Sequence, residues 1–201
     1  MRHGMWTLAA LIGAAFCFGC NNNGKSIQLF NGYDLTGWQA EGKAVWTVED
    51  GAIVGQQGPG NGPGDLLTEQ CYKDFDLSCR WRAEWPCNSG IWFRYQSADQ
   101  AYQADILEFT APVCYSGTLF CTGKMFLAMN TDASLVNREG WNTFRIRAVG
   151  DHLQVWLNGR QVADMHDDTS THGRIGIQVH AGEKLGPMKI MVKDVKLTVL
   201  D

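Results

Sequence analysis

The chain has 201 residues, with 17 Lys+Arg against 21 Asp+Glu for a formal net charge of −4, and is 45% hydrophobic but only 19% charged. That is one domain's length, too apolar for a disordered chain and without the Lys/Arg run that a phosphate backbone demands, so nucleic-acid partners are excluded from the reading. With 23 glycines and 8 tryptophans, the composition points to a turn-rich β fold with aromatic surfaces.

Residues 1–19 read as an export signal. Arg2 and His3 are the basic start, and Trp6 to Phe18 is an apolar stretch of 13 residues, shorter than the roughly 20 needed to span a bilayer. Phe18-Gly19-Cys20 resembles a bacterial lipobox with Cys20 as the lipidated residue, which predicts a cell-envelope protein held to the membrane through that lipid. Ordinary cleavage and release is the other reading. Either way the folded part is expected outside the cytoplasm. Residues 20–26 form a short linker and 27–201 a single domain.

From Ile27 onward, short alternating runs are separated by Gly, Asn and Asp. They are Val45–Glu49 and Ala52–Gly55 around Asp50-Gly51, then Leu66–Thr68 after the Gly/Pro loop from Gly58 to Gly64, Phe75–Trp85, Gly90–Tyr95 and Tyr102–Leu107. Phe126–Asn130, Trp141–Val149, His152–Leu157 and Arg160–Met165 around Asn158-Gly159, Arg174–His180 and Met188–Leu200 follow. Asp-Gly and Asn-Gly are hairpin signals. So many strands without an amphipathic helix predict an all-β antiparallel sandwich or jelly roll, its last strand completing a sheet and its ends close together.

Alternation assigns faces. Ile91, Phe93 and Tyr95 oppose Trp92 and Arg94; Tyr102, Ala104 and Ile106 oppose Gln103, Asp105 and Leu107; Ile175, Ile177 and Val179 oppose Gly176, Gln178 and His180. If these strands are neighbours, one face collects Trp92, Arg94, Gln103, Asp105, Gln178 and His180, with Gly176 opening the backbone. An ordinary solvated sheet face favours Lys, Glu, Thr and Ser, whereas this set suits a sugar-binding or catalytic cleft. Cys71, Cys79, Cys87, Cys114 and Cys121 follow Cys20, an odd number, so one cannot pair within the monomer. Cys114 and Cys121 either close a local loop or are small buried hydrophobes. Asp164, Asp167 and Asp168, and Asn61 with Asp65, lack the spacing of a calcium loop, so no cofactor is expected.

Several blocks decide the family in combination: Leu29-Phe30-Asn31-Gly32 through Gly37-Trp38, Val48-Glu49-Asp50-Gly51, Gly64-Asp65-Leu66-Leu67-Thr68, Asn88-Ser89-Gly90-Ile91-Trp92-Phe93-Arg94 and Tyr102-Gln103-Ala104-Asp105-Ile106. Gly117-Thr118-Leu119-Phe120, Trp141-Asn142-Thr143-Phe144, Trp156-Leu157-Asn158-Gly159 and Gly173-Arg174-Ile175-Gly176-Ile177-Gln178-Val179-His180 continue the order. In this order they resemble the 3-keto-disaccharide hydrolase domain family, with Phe120 standing where the family usually has Tyr. The resemblance implies a concanavalin-like jelly roll whose concave sheet handles carbohydrate, and cleavage of glycosides already oxidised to a ketone at sugar carbon 3. Such a ketone acidifies the hydrogen on carbon 2, so a base can expel the aglycone from carbon 1 and water can add back. On that chemistry Asp105 is the expected base, His180 the acid or second base, and Arg94 the enolate clamp. Gln103, Gln178 and Asn88 orient the sugar, Trp92 stacks on it, and Glu108 and Lys124 are supporting candidates. Asp105 and Glu108 are three apart and face opposite sides of a regular strand, which argues against a two-carboxylate glycosidase. A non-catalytic carbohydrate-binding module using the same face is the alternative, and a structural partner domain with an exposed apolar patch is a third. Oligomeric state is not legible.

Overall fold

The computed structural model describes residues 24–182 and 187–200, so the export segment and Cys20 lie outside the described residues. Its strands are β1 (Ser26–Gln28), β2 (Trp38–Gly42), β3 (Val45–Glu49), β4 (Ala52–Gln56), β5 (Gly64–Tyr72), β6 (Phe75–Glu84), β7 (Asn88–Ser97), β8 (Gln100–Thr110), β9 (Val113–Cys121), β10 (Met125–Asn130), β11 (Asn142–Val149), β12 (His152–Leu157), β13 (Arg160–His166), β14 (Gly173–Val179) and β15 (Lys189–Val199). One sheet runs β13-β12-β11-β6-β15-β4-β3 with β1 paired to β15, and the other runs β10-β9-β8-β7-β14-β5-β2. Every pairing is antiparallel. This is the expected jelly-roll sandwich.

The predicted hairpins form where two successive residues take positive φ. Asp50 and Gly51 sit at 49° and 72°, Asn158 and Gly159 at 50° and 84°, the geometry whose twist matches paired strands. Strict alternation then sends one set inward. On β6, Phe75, Leu77, Cys79, Trp81 and Ala83 are buried, meeting Phe93, Tyr102, Ala104 and Ile106 of the other sheet in one apolar cluster. Trp81 lies 5.3 Å from Phe144, and Phe93 stacks on Tyr102 at 5.4 Å. Each such side chain contributes about 1.5–3 kcal/mol by leaving water.

Strand β15 is central, between β6 and β4, and β1 pairs with it in the register Ser26↔Thr198, so the described ends meet as expected. Strand β9 carries no clear sequence signal because Ser116-Gly117-Thr118 interrupts it and Gly117 sits at φ 91°. Pairing with β8 from Tyr102↔Cys121 to Thr110↔Val113 makes it a strand all the same. Cys114 and Cys121 are buried free thiols. Seven residues apart on one strand, about 24 Å of extended chain at 3.4 Å per residue, they do not close a loop.

Candidate functional site

The three strands singled out by alternation lie side by side, as β8-β7-β14 in the second sheet. The register arranges their outward residues in rows. One row crosses the sheet as Asp105 (β8), Gly90 (β7), Gln178 (β14), Asp65 (β5) and Glu41 (β2). The row beside it runs Phe126 (β10), Phe120 (β9), Gln103, Trp92, Gly176 and Leu67. Leu107 and Asn88 are paired on the other side, and the Asn88 carbonyl accepts the His180 backbone N–H at 3.3 Å. All of these residues except Gly90, Glu41, Gly176 and Leu67 line a cavity of about 370 Å³, within the usual range for a small-molecule site.

Asp105 is 3% exposed, and its Oδ2 has no hydrogen-bond partner among the described residues. Burial pushes its carboxyl well above the usual carboxylate range, because an ion there would lose water and gain no cation. Gln103, two residues away on the same face, is 3% exposed and leaves its Nε2 equally unpartnered. Its side chain fills the space over Gly90, where a Cβ would sit 2.4 Å from Gln103 Cγ. Asp65 differs. Burial raises it too, but Trp92 Nε1 donates to its Oδ1 at 2.7 Å, and Arg174 and His180 oppose the rise, while Glu41 adds to it. Arg174 pairs with Glu41 at 2.8 Å and lies 5.5 Å from the Tyr95 ring centre. His180 is exposed at the lip, its Nδ1 on the Ala181 carbonyl. A carbonyl only accepts, so Nδ1 carries the proton and, in the neutral ring, Nε2 holds the lone pair.

Trp92, Asn88, Gln103, Asp105, Gln178 and His180 thus share the cavity. Arg94 does not. Between Trp92 and Tyr95 the β7 strand advances three residues against two on β14, from Gly176 to Arg174, and the extra residue is a bulge. Arg94 takes φ 49° and its guanidinium is wholly buried. It donates to the carbonyls of Lys73, Gly150 and Ser170 at 2.9, 2.7 and 3.3 Å and to Asp74 Oδ1 at 3.0 Å. The same bulge turns Tyr95 onto the Trp92 face, 5.6 Å away, and not onto the face of Ile91 and Phe93. Glu108 points to the other side of β8 and pairs with Arg138. Lys124, at the β9–β10 turn, is held by Asp167 at 2.7 Å. Neither lines the cavity. Gly176 does not open the backbone to a ligand either, since Leu67 Cδ2 occupies its missing Cβ position at 2.4 Å.

Asp65, Tyr95, Phe109, Phe120 and Phe126 also line the cavity. Asp65 was within reach of the sequence, since it alternates with Leu66 in the Gly64–Thr68 block. Of the carboxylates considered for calcium, Asp164 binds His152, Gln154 and Gln161, and Asp167 binds Tyr102, Lys124 and Thr169.

The cleft, floored with carboxyls and amides and walled with aromatic rings, lies on one sheet of an antiparallel jelly roll. The match to the 3-keto-alpha-glucoside-1,2-lyase-like domain covers residues 25–198, and the chain belongs to that family. A 3-keto-disaccharide hydrolase of Bacteroides thetaiotaomicron is 35% identical over 80 residues, which cover 35% of this chain and 27% of that protein. The chain therefore matches about a quarter of that relative's length. Among solved structures, a protein of Parabacteroides distasonis provisionally assigned as a glycosyl hydrolase superposes with a TM-score of 0.64 at 22% identity, covering 88% of this chain and 94% of that one. A carbohydrate-binding module of Bacillus subtilis reaches 0.60 at 18% identity, covering 80% and 94%. These likenesses describe the fold.

Proposed function

We propose that the chain cleaves 3-keto-glycosides by elimination and hydration on its concave sheet. The observation that carries this is the single row in which a buried, unpartnered Asp105 faces Asp65 across Gly90 and Gln178. Three strand spacings of about 4.8 Å separate the two backbones, room for a sugar ring between the side chains. Two carboxyls in unlike environments divide acid and base work. Asp65, with the Trp92 N–H on one oxygen, is the carboxylate that takes the carbon-2 proton. Asp105 is neutral and donates, so it is the acid rather than the base that the sequence suggests.

In the first step the C2–H bond breaks toward Asp65 and its electron pair forms the enolate, whose oxygen is met by the Asp105 O–H and the Gln103 amide. The enolate then re-forms the ketone, a C1=C2 double bond appears, and the C1–O bond breaks. The leaving oxygen collects a proton from a water molecule at the lip that the His180 Nε2 lone pair orients. Water adds its oxygen to C1 and a proton returns to C2, giving the 3-keto sugar with no net redox change. General acid–base assistance of this kind contributes about 10²–10⁴-fold per group.

The test is to incubate the full chain with 3-keto-trehalose and with trehalose. Release of glucose from the keto substrate alone, lost by at least about 10²-fold in Asp105→Asn and Asp65→Asn, is expected. Cleavage of plain trehalose would refute the mechanism. Intact 3-keto-trehalose that nevertheless binds would favour a carbohydrate-binding module, a reading that the aromatic wall also supports. We further infer, from Met1–Cys20 alone, that the protein works outside the cytoplasm on a lipid anchor. Incorporation of labelled palmitate that Cys20→Ser abolishes tests that placement.

A further inference from the structure

The two halves of the cleft differ in chemistry, and the sheet order sets the division. On the β14-β5-β2 side lie Gln178, His180, Asp65 and Glu41, the groups that hydrogen-bond sugar hydroxyls. On the β8-β9-β10 side lie Phe109, Phe120 and Phe126, with Met125 61% exposed beside them. The rings form one continuous edge-to-face chain. Tyr95 meets Trp92 at 5.6 Å, Trp92 meets Phe120 at 6.3 Å, Phe120 meets Phe126 at 6.3 Å, and Phe126 meets Phe109 at 6.4 Å. Asp105 and Gln103 sit at the junction. Among the described residues lining the cavity, the hydroxyl side chains are Tyr95, at the β7 end of the ring chain, and Thr122, whose oxygen is already engaged with the Ala101 N–H at 2.9 Å and the Ala101 carbonyl at 3.2 Å.

From this division we propose that the site selects 3-keto-glycosides carrying a planar apolar aglycone, seated against the aromatic chain while the keto sugar occupies the β14-β5-β2 half. The inference rests on the proposed function and narrows its substrate class. A second pyranose in the β8-β9-β10 half would carry several hydroxyls past the rings of Phe109, Phe120 and Phe126, which offer no acceptor or donor, leaving them stripped of water and unpaired. A phenyl ring has none to strip. It buries its faces and edges in the arrangement aromatic groups prefer, and the thioether of Met125 adapts to rings of different size. Phe120 contributes directly, because a phenol there would put a hydroxyl on the wall.

The experiment compares the phenyl α-glycoside of 3-keto-glucose with 3-keto-trehalose, which share sugar and anomer. The full chain should favour the phenyl substrate by about tenfold or more in kcat/KM, with most of the difference in KM. Phe126→Ser and Phe120→Tyr should each shrink that ratio severalfold. A ratio near one, a preference for 3-keto-trehalose, or a ratio unchanged in both variants would overturn the proposal while the proposed function stands. If neither substrate is cleaved, the proposed function fails by itself, and calorimetric binding of unoxidised phenyl α-glucoside against trehalose decides the aromatic half: tighter phenyl binding lost in Phe126→Ser supports it, and equal affinity overturns it.

Discussion

Two buried polar residues show how burial decides chemistry at the scale of the single side chain. Asp105 is raised well above the usual range because it is buried without a cation. In the folded protein it therefore holds a proton that the unfolded chain has already released, and the sign of the linkage follows. Its contribution is fully present below the unfolded carboxyl value and is lost as pH rises through the folded one. Asp105→Asn, which cannot ionise, should melt at or above the parent at pH 8, with the gap closing toward pH 4 in a thermal series. A parent that gains stability relative to Asp105→Asn on going from pH 4 to pH 8 would contradict a buried neutral acid. Arg94 is the opposite case, a buried cation that donates to Lys73, Asp74, Gly150 and Ser170. Removing one member of such a set leaves the others unpaired, so Arg94→Leu should cost about 3–5 kcal/mol in a denaturant titration. The fraction that stays folded should keep its kcat, because Arg94 lies outside the cleft. A stable Arg94→Leu protein without activity would restore the enolate-clamp role.

At the scale of the element, what was legible depended on regularity. Strand β8 follows the two-residue period throughout, so Gln103 and Asp105 are assigned to the cleft from sequence, and β14 does the same for Gln178 and His180. The period fails in β7 at one residue, where a glycine of the neighbouring β14 packs close. Gly173, at φ 151°, brings its backbone against the bulge, where a Cβ would stand 2.5 Å from the Arg94 carbonyl carbon and 2.6 Å from the Tyr95 oxygen. No local pattern in Gly90–Tyr95 announces that contact. Backbone atoms have no rotamer with which to yield, so Gly173→Ala should destabilise by about 1–3 kcal/mol or more, measured as a denaturant midpoint. It should also move Tyr95 away from Trp92, which tryptophan fluorescence reports. A neutral Gly173→Ala would mean that the bulge is set elsewhere. The aromatic half was hidden for a related reason: β9 is held as a strand by pairing with β8, not by its own propensity.

For the whole molecule, the order of strands matters more than their number. Sequence blocks identify the family and the sandwich, while the concave site exists only because β2, β5, β14, β7, β8, β9 and β10 lie side by side in that order. Residues 41, 65, 90, 105 and 178 become one row through long-range register, which a single sequence does not encode in any window. On the proposed reading, that row carries out an elimination and not a direct displacement at carbon 1. An elimination must break the C2–H bond and rebuild it from solvent. Cleavage of 3-keto-trehalose in D₂O, followed by proton NMR at the first turnovers, should therefore give 3-keto-glucose with deuterium on carbon 2 beyond that acquired by free 3-keto-glucose in the same buffer. Product that retains its original hydrogen there would contradict the account.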